Sequence, residues 1–473
     1  MATIALDTGG ASLFDALHDQ HIRDALEQKL PGFLQEQRWF AGRAHGVNSV
    51  RIEHMVPLSD DGSLVSTIVD VNDGAGAMTR YQVLLEQQPG SVVGDPLAGR
   101  NATALRDLLQ RGGRREAEGV RFVAAGPGGD DQCAGNPRPL GAEQSNSSVV
   151  FGDECIMKVF RIIQDGWNPD VQLTAWLSGP GGFPNVPRVI GTARLQAPGL
   201  DADAAVLQEF VPNEGDGWSW ILERARAACA NAMDGTSMRA YLAEEQETLS
   251  RAAELGDITA QLHATLSRAD EPGMTPAAAT VSDWEAWQEE LQSNARDTAA
   301  MLQPTNPELA ERVSTLSREA STPAPVDLGM KTRVHGDFHL GQVLRTERGW
   351  IIIDFEGEPA RPLAERVALQ HPLADVAGML RSWDYAARTA GQGSEAAAAW
   401  GEAVSDAYLA AYWETADTAE RPFLPAGDEA RATVLRLFTL RKALYEVRYE
   451  LGSRPDWVWV PVGAVAAMLD DTR

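Results

Sequence analysis

The sequence has only three cysteines, Cys133, Cys155 and Cys229. They are scattered and odd in number, which is typical neither of a disulfide framework nor of a zinc site, so we expect reduced thiols. The sequence also lacks a run of about 18 apolar residues, the length that a membrane-spanning helix needs. The first ten residues lack the basic patch and apolar core of a signal peptide. These absences predict a cytoplasmic protein with no membrane partner.

Positive charge is also scarce, because 41 Lys and Arg residues face 67 Asp and Glu residues and give a formal net charge of -26. Proteins that bind nucleic acids need a basic face for the phosphate backbone, so a nucleic-acid partner is not expected. The excess of acid is interpreted as a source of solubility. It does not exclude ATP, which one lysine and a divalent metal ion can bind locally.

Hydrophobic periodicity predicts a mixed α and β chain. The pattern predicts helices over 12–38 and 102–110, strands over 49–55, 65–71 and 81–85, a hairpin turning at Gly152-Asp153, and strands over 186–193 and 205–210. Asn168-Pro169-Asp170 is a helix-start signal, with Asn as the N-cap and Pro in the first turn. From residue 217 onward the pattern is mostly helical, and composition alone puts a first domain boundary near 111–130.

The segment that carries chemistry runs from Val334 to Leu344 and contains Asp337 and Gln342. An apolar strand follows it and ends at Asp354. Phosphoryl transfer needs a carboxylate that orients the attacking hydroxyl and oxygen ligands for the metal ions on the triphosphate. Magnesium prefers hard oxygen ligands and takes only one or two of them from the protein. The order of an Asp, an amide five residues later and a second Asp after a hairpin therefore predicts a kinase.

These residues also carry a resemblance. The segments HGDFHLGQ (335–342) and IIDFEGEP (352–359) resemble the aminoglycoside phosphotransferase-like branch of the kinase fold, and within it the maltokinases and related actinobacterial sugar kinases. Further matching segments follow the same order along almost the whole chain: 37–42, 143–148, 353–366, 375–382 and 454–457.

The resemblance implies a role for each matching residue. Asp337 would be the catalytic carboxylate, Gln342 and Asp354 the magnesium ligands, and Lys158 the lysine that binds the ATP phosphates. Residues 144–148 would form a loop over the phosphates, and 208–211 the hinge at adenine. The residues assigned to ATP are Lys158, Ser145, Asn146, Ser147, Ser148, Gln208, Glu209, Phe210 and Val211.

The acceptor residues are less constrained. Tyr445, Glu446, Arg448 and Tyr449 fall in one predicted helix; they suit sugar recognition, although helical spacing alone favours core and surface packing. His339 and Glu356 are the other candidates. His335 is assigned to the support of the loop backbone, and Arg361 with Glu365 to a structural ion-pair network. Glu446 or Glu450 could meet the ammonium group of an amino sugar.

One position departs from the family pattern. The family has Glu in the helix after the nucleotide lysine, whereas this chain has Gln172. The charged partner of Lys158 is therefore expected to be missing. Asp170 is expected to lie on the wrong face of the helix to replace it.

The resemblance implies an α+β, bilobal protein-kinase-like fold with an N-terminal cap domain. The expected domains are the cap over 1–115, the nucleotide-binding small lobe over 116–211 and the helical large lobe over 212–473. The expected reaction is ATP- and magnesium-dependent phosphorylation of a free sugar, first maltose to maltose 1-phosphate. The alternatives are a glucosamine kinase that forms the 6-phosphate, an aminoglycoside phosphotransferase and a catalytically dead nucleotide-binding protein. The oligomeric state is not predicted.

Overall fold

The computed structural model describes residues 3–90, 92–95, 97, 101–128, 133–140, 146–317, 323–359 and 361–470. The chain divides into two compact units. The first comprises residues 1–179 and 187–212, and the second comprises 180–186 and 213–473. Within the described residues, no helix is both long and apolar enough to pass through a membrane.

The first unit holds twelve strands and four helices in its described residues. The strands are β1 (Thr3–Ala5), β2 (Val47–Pro57), β3 (Leu64–Asp73), β4 (Met78–Gln88), β5 (Val92–Gly94), β6 (Gly113–Ala117), β7 (Val120–Ala125), β8 (Pro137–Pro139), β9 (Asn146–Phe151), β10 (Cys155–Phe160), β11 (Val189–Ala197) and β12 (Leu200–Glu209). The helices are α1 (Leu13–Ala16), α2 (Gln20–Glu36), α3 (Asn101–Arg111) and α4 (Pro169–Ser178).

These strands form two antiparallel sheets. The five-stranded sheet has the order β1-β5-β4-β3-β2, and the seven-stranded sheet has the order β6-β7-β11-β12-β10-β9-β8. The segment 111–130, where composition puts a domain boundary, contains β6 and β7 of the second sheet. The boundaries at 115 and 211 remain predictions.

The helix predicted over 12–38 is two helices, because the chain has two N-caps. Ser12 Oγ accepts the Asp15 N–H at 3.1 Å and starts α1, and Asp19 Oδ1 accepts the His21 N–H at 2.8 Å and starts α2. A side-chain acceptor at an N-cap satisfies an N–H that has no partner within the helix. The helix start predicted at Asn168 is confirmed, since its Oδ1 accepts the Asp170 N–H at 2.9 Å.

The expectation of reduced cysteines is wrong for one pair, because Cys133 and Cys155 form a disulfide. The pairing of β8 with β9 brings the chain before β8 close to the start of β10. Gly135 permits this approach, since a Cβ there would collide with the backbone of Gly152. The two cysteines are therefore neighbours in space although they are distant in sequence. Cys229 is a free thiol.

The second unit is mostly helical, as predicted from residue 217 onward. Its helices are α5 (Gly217–Asn231), α6 (Gly235–Glu244), α7 (Glu247–Leu266), α8 (Val281–Leu302), α9 (Pro307–Leu316), α10 (Leu363–Arg366), α11 (Leu373–Gly391), α12 (Glu395–Asp417), α13 (Asp428–Ser453) and α14 (Trp459–Asp470). Two short antiparallel strand pairs interrupt them: β13 (Ala277–Ala278) with β14 (Met330–Lys331), which α8 and α9 separate along the chain, and the hairpin of β15 (Val343–Thr346) with β16 (Gly349–Ile352). The segment that holds Asp337 lies between β14 and β15.

Candidate active site

The loop that carries Asp337 is held by a buried acid on α11. Asp375 accepts the backbone N–H of His335 at 2.7 Å and that of Gly336 at 2.9 Å. Its carboxylate is also 3.3 Å from His263 Nε2, and His263 Nδ1 is 2.9 Å from the Tyr412 hydroxyl. Two backbone bonds to one rigid helix fix the position of the loop. Sequence reasoning gave Asp375 no role, although it begins a segment that resembles the family.

The groups around Asp375 stabilise the negative charge of its carboxylate. Burial alone would raise the pKa of this carboxyl group. The hydrogen bond and charge of His263, with the N–H of Gly336, outweigh burial, so the pKa of Asp375 is lowered from its usual value. The loop is therefore anchored to an ionised carboxylate.

The two histidines of the loop act mainly on its backbone. His335 Nδ1 accepts the Asp337 N–H at 3.3 Å, and its Nε2 donates to the Ile353 carbonyl at 3.0 Å. The prediction that His335 supports the loop is thereby confirmed. His339 Nδ1 accepts the Gly341 N–H at 3.0 Å and caps the turn that leads to Gln342. Burial lowers the pKa of His339.

The hairpin β15–β16 brings the two predicted metal ligands together. Gln342 immediately precedes β15, and Asp354 follows β16. The Ile353 N–H donates to the Gln342 carbonyl at 3.0 Å, and Gln342 Nε2 donates to Asp354 Oδ2 at 3.2 Å. Asp354 has a φ of 67°, a conformation that a residue other than glycine adopts only where its surroundings impose it.

This donor set fits magnesium, because an amide oxygen and a carboxylate are the hard ligands that this ion prefers. Gln342 and Asp354 are the residues that would hold it. When bound, magnesium neutralises charge on the phosphate oxygens that take part in transfer. The assignment of these two residues stays a proposal.

A cavity of about 290 Å³ opens beside Asp337 in the second unit. Of the predicted acceptor residues, Tyr445 and Arg448 line it, whereas His339, Glu356, Glu446 and Tyr449 do not. Four carboxylates and four cationic side chains are among its lining residues: Glu290, Asp337, Glu358 and Asp375, and Arg361, Arg441, Lys442 and Arg448. The charged side chains around the cavity are therefore balanced in number.

The two acids proposed for an ammonium group are bonded elsewhere. Glu446 accepts from Arg381 Nε at 3.0 Å and from another nitrogen of the same guanidinium at 2.7 Å. Glu450 accepts from the Tyr385 hydroxyl at 2.9 Å and forms an ion pair with Arg454. Neither acid is among the residues that line the cavity, so a role for Glu446 or Glu450 at an ammonium group stays a prediction. Helical spacing places a side chain on a face but does not say which neighbour pairs with it.

The other two predicted acceptor residues lie outside the cavity for separate reasons. The Glu356 carbonyl accepts from Arg366 at 2.9 Å in the turn after Asp354. Tyr449 stacks on Tyr445 at a ring distance of 6.2 Å and is half exposed. Sequence reasoning missed Lys442, which lies three residues before Tyr445 and contacts Asp337. Nothing in its local sequence distinguishes it from a surface lysine.

In the first unit, Lys158 has the charged partner that was expected to be missing. Its Nζ is 3.2 Å from Asp170 Oδ2, and both side chains are largely buried. The expectation that Asp170 lies on the wrong face is wrong. Asp170 is in the first turn of α4, after the N-cap Asn168, and forms its ion pair with Lys158 of β10.

The other predicted ATP residues occupy two neighbouring regions of the seven-stranded sheet. Asn146, Ser147 and Ser148 begin β9 and pair with Phe160, Val159 and Lys158, so their assignment to a loop is wrong. The pairing continues the hairpin ladder to residue 146. Ser145 and Gln144 lie outside the described residues. Gln208 and Glu209 end β12, and Phe210 and Val211 follow it, with the Phe210 N–H donating to the Glu154 carbonyl at 2.8 Å. Their role at adenine stays a prediction.

We expect Lys158→Met to weaken the use of ATP. A hydrogen bond to a charged group contributes about 2 kcal/mol, so kcat/KM for ATP should fall roughly 30-fold. Steady-state ADP release over a range of ATP concentrations measures this. Asp170→Asn should give a smaller loss, because the lysine remains. An unchanged kcat/KM for ATP in Lys158→Met would contradict the role given to this residue.

Comparison with known proteins gives the family. The model of the phosphotransferase enzyme family matches residues 137–421, which is more than half of the chain. The chain belongs to this family. A second model, that of the maltokinase N-terminal cap domain, matches residues 33–104. The predicted family is thereby confirmed, and so is the α+β, protein-kinase-like fold with an N-terminal cap.

Relatives of this phosphotransferase are known. A glucosamine kinase of Streptacidiphilus jiangxiensis is 30% identical over 414 residues, which cover 84% of this chain and 84% of the relative. A glucosamine kinase of Mycolicibacterium smegmatis is 29% identical over 356 residues, covering 72% of this chain and 81% of that protein.

Solved structures share the fold. The structure described as glucosamine kinase in complex with glucosamine, ADP and inorganic phosphate has a TM-score of 0.65, with 23% identity, and covers 89% of this chain and 94% of its own. A further crystal form of glucosamine kinase has a TM-score of 0.68 and 24% identity, with the same coverage of both chains. The predictions of an ATP-dependent phosphotransferase with an alcohol group as acceptor, and of ATP and magnesium as its cofactors, are confirmed.

Proposed function

We propose that this phosphotransferase transfers the γ-phosphoryl group of ATP to a hydroxyl group of free glucosamine and forms the 6-phosphate. The observation that carries the proposal is the cavity beside Asp337, lined by groups that hydrogen-bond to a polyhydroxylated acceptor. Asp337 would orient the attacked hydroxyl and accept its proton. The two glucosamine kinases among its relatives support glucosamine as the acceptor.

The size and chemistry of the cavity support a small sugar. Its volume of about 290 Å³ lies at the lower limit for small-molecule sites, which begin at about 300 Å³. Asn294, Gln370 and Tyr445 add neutral hydrogen-bonding groups to the charged ones. An ammonium group of the acceptor would need a carboxylate at the cavity surface, and Glu290 is the most exposed candidate, with 36% of its side chain accessible.

Maltose, giving maltose 1-phosphate, is the second candidate. It is supported by the match of residues 33–104 to the maltokinase N-terminal cap domain and by the sequence segments that resemble maltokinases. We propose that the cap comprises residues 1–115, followed by a nucleotide-binding region over 116–211 and an acceptor-binding region over 212–473.

The other two alternatives have less support. Aminoglycosides carry several positive charges, whereas the acids of this cavity are matched by as many cationic groups. A catalytically dead protein was suggested only by the missing glutamate, and Asp170 now supplies the acid next to Lys158. We propose that the enzyme works in the cytoplasm, where ATP is available; the cysteine argument for that location no longer holds.

A coupled ADP-release assay tests the proposal. The full chain is assayed with magnesium and ATP against glucosamine, maltose, glucose and one aminoglycoside, with Asp337→Asn as the control. We expect glucosamine to have the highest kcat/KM, and phosphorus NMR of the product to show a phosphate on the primary hydroxyl. Turnover of maltose alone would replace the first candidate by the second. ATP binding without turnover of any sugar would favour the dead protein.

A further inference from the structure

Lys442 lies among the charged side chains that line the cavity. It is on α13, and its Nζ is 3.2 Å from Asp337 Oδ1 and 2.6 Å from Glu358 Oε1. Its side chain is one-fifth exposed. Among the described residues that line the cavity, it is the only lysine. A lysine in direct contact with the proposed proton acceptor has a position that general solubility does not explain.

The ammonium group of Lys442 stays charged in this position. Burial lowers the pKa of this group, but the charges of Asp337 and Glu358 outweigh burial. The net effect raises the pKa of Lys442 above its ordinary value. Lys442 therefore cannot serve as a base near neutral pH, and its function must be that of a fixed cation and hydrogen-bond donor.

A line of alternating charges holds Lys442 in place. Glu358 also accepts from Arg361 Nε at 2.7 Å. Arg361 in turn pairs with Glu290 at 3.2 Å, and Glu290 pairs with Arg441 at 2.9 Å. Glu358, Arg361 and Glu290 are each bonded on both sides, so a displacement of Lys442 would disturb several ion pairs. Asp337 is the end of this line at the catalytic loop.

The arrangement leaves two groups directed to the acceptor. An ammonium group has three N–H donors, and two carboxylates occupy two of those of Lys442. Lys442 Nζ also lies 5.1 Å from the centre of the Tyr445 ring, which lines the cavity. Lys442 Nζ is bonded to Asp337 Oδ1, and His339 Nε2 lies 4.0 Å from Asp337 Oδ2.

We propose that Lys442 is a positioning residue for the phosphoryl acceptor. It holds Asp337 by Oδ1, so that Oδ2 is presented to the attacked hydroxyl. Its third N–H donates to an uncharged oxygen of the acceptor next to that hydroxyl. The hydroxyl proton passes to Asp337, the oxygen forms its bond to the γ-phosphorus, ADP leaves, and Lys442 keeps all its protons. This inference rests on the proposed function, since it requires an acceptor with neighbouring oxygens.

The position of Lys442 also limits the acceptor. A fixed cation repels a second cation in its immediate neighbourhood. An ammonium group on the carbon next to the attacked hydroxyl would meet this repulsion, whereas an ammonium group farther along the sugar would not. Lys442 should therefore determine which hydroxyl of an amino sugar is phosphorylated.

The experiment compares four variants of the full chain: Lys442→Met, Lys442→Arg, Lys442→Met combined with Glu358→Gln, and Lys331→Met. The last is a matched control, because Lys331 forms a partly buried ion pair with Asp283 at 2.5 Å and does not line the cavity. For each, kcat and KM are measured separately for the sugar and for ATP, together with the melting temperature.

We expect kcat/KM for the sugar to fall roughly 10²-fold in Lys442→Met, the scale for loss of one preorganised donor. The KM for ATP should stay unchanged, and Lys442→Arg, which keeps the charge, should give an intermediate value. Removal of one partner of a buried ion pair leaves an uncompensated charge, so Lys442→Met should also melt earlier. The double variant should recover the melting temperature without recovering activity.

A purely structural role predicts the opposite for the double variant, in which activity would return with stability. Such a recovery would overturn the inference, as would kcat/KM for the sugar within about threefold of the parent in Lys442→Met. If Lys442→Met does not fold, the activity of the double variant distinguishes the positioning role from the purely structural one. An active parent with an equally active variant overturns this inference alone, whereas a parent that phosphorylates no sugar overturns the proposed function as well.

Discussion

Asp337→Asn should lower kcat about 10³-fold, within the range that general acid–base catalysis contributes. The amide keeps the size of the side chain but cannot accept the proton of the attacked hydroxyl. It also loses the ion pair with Lys442 Nζ, which is 3.2 Å from Asp337 Oδ1 in the parent. ADP release with the preferred sugar measures kcat, and the rise in melting temperature caused by ATP measures nucleotide binding. We expect nucleotide binding to persist.

Asp283→Asn is the matched control, since Asp283 also pairs with a lysine and lies outside the cavity. It should leave kcat unchanged. If Asp337→Asn kept more than about a tenth of the parent kcat, a loss of only about 1.4 kcal/mol in transition-state stabilisation, Asp337 would not be the proton acceptor.

Asp375→Asn should damage both stability and activity. An asparagine offers only one oxygen where the carboxylate accepts two backbone N–H groups, and its NH2 group would face a donor. Removal of one partner of a buried ion pair lowers the free energy of unfolding by about 3–5 kcal/mol. In this variant the loss has two sources, the contact with His263 and the bonds to the loop. Chemical denaturation measures the free energy of unfolding, and kcat should fall because the Asp337 loop loses its anchor.

The same residue gives a pH dependence with a defined sign. The pKa of Asp375 is lowered in the folded chain, so its contribution to stability is present above the unfolded value of about 3.9 and is lost as the pH falls through the folded value. The acid loss of stability should therefore be smaller in Asp375→Asn than in the parent. Asp257→Asn, at a partly exposed acid bonded to Thr415, is the control. Equal stability of Asp375→Asn and the parent at pH 7 would contradict the anchoring role.

Local sequence predicts much of the fold here because its signals are local. The N-cap Asn168, the hairpin turn at 152–153 and the alternating strands of the first unit each depend on residues a few positions apart. The disulfide between Cys133 and Cys155 depends instead on how β8 pairs with β9. The spacing of the cysteines along the sequence does not reveal this pairing. The sequence also contains the N-caps Ser12 and Asp19, which mark the starts of α1 and α2. The apolar positions continue at helical spacing through both helices, so the pattern predicted a single helix.

The candidate site shows the same division. Asp337, Gln342 and Asp354 could be selected from their order along the chain, and the hairpin explains why Gln342 and Asp354 meet. Partners that come from distant helices could not be selected. The bonds of Asp375 to the loop cross 40 residues, and those of Lys442 to Asp337 cross 105. The bond of Arg381 to Glu446 crosses 65 residues and was likewise not visible in the sequence.

The charge of the cavity differs from the charge of the chain as a whole. The chain as a whole carries a net charge of -26, which keeps it dispersed in solution. The described residues that line the cavity include four acidic and four cationic side chains, so the net charge of the whole chain is not repeated there. Mutation of exposed charges, or screening of them by salt, therefore changes the charge of the surface without changing which charged side chains line the cavity.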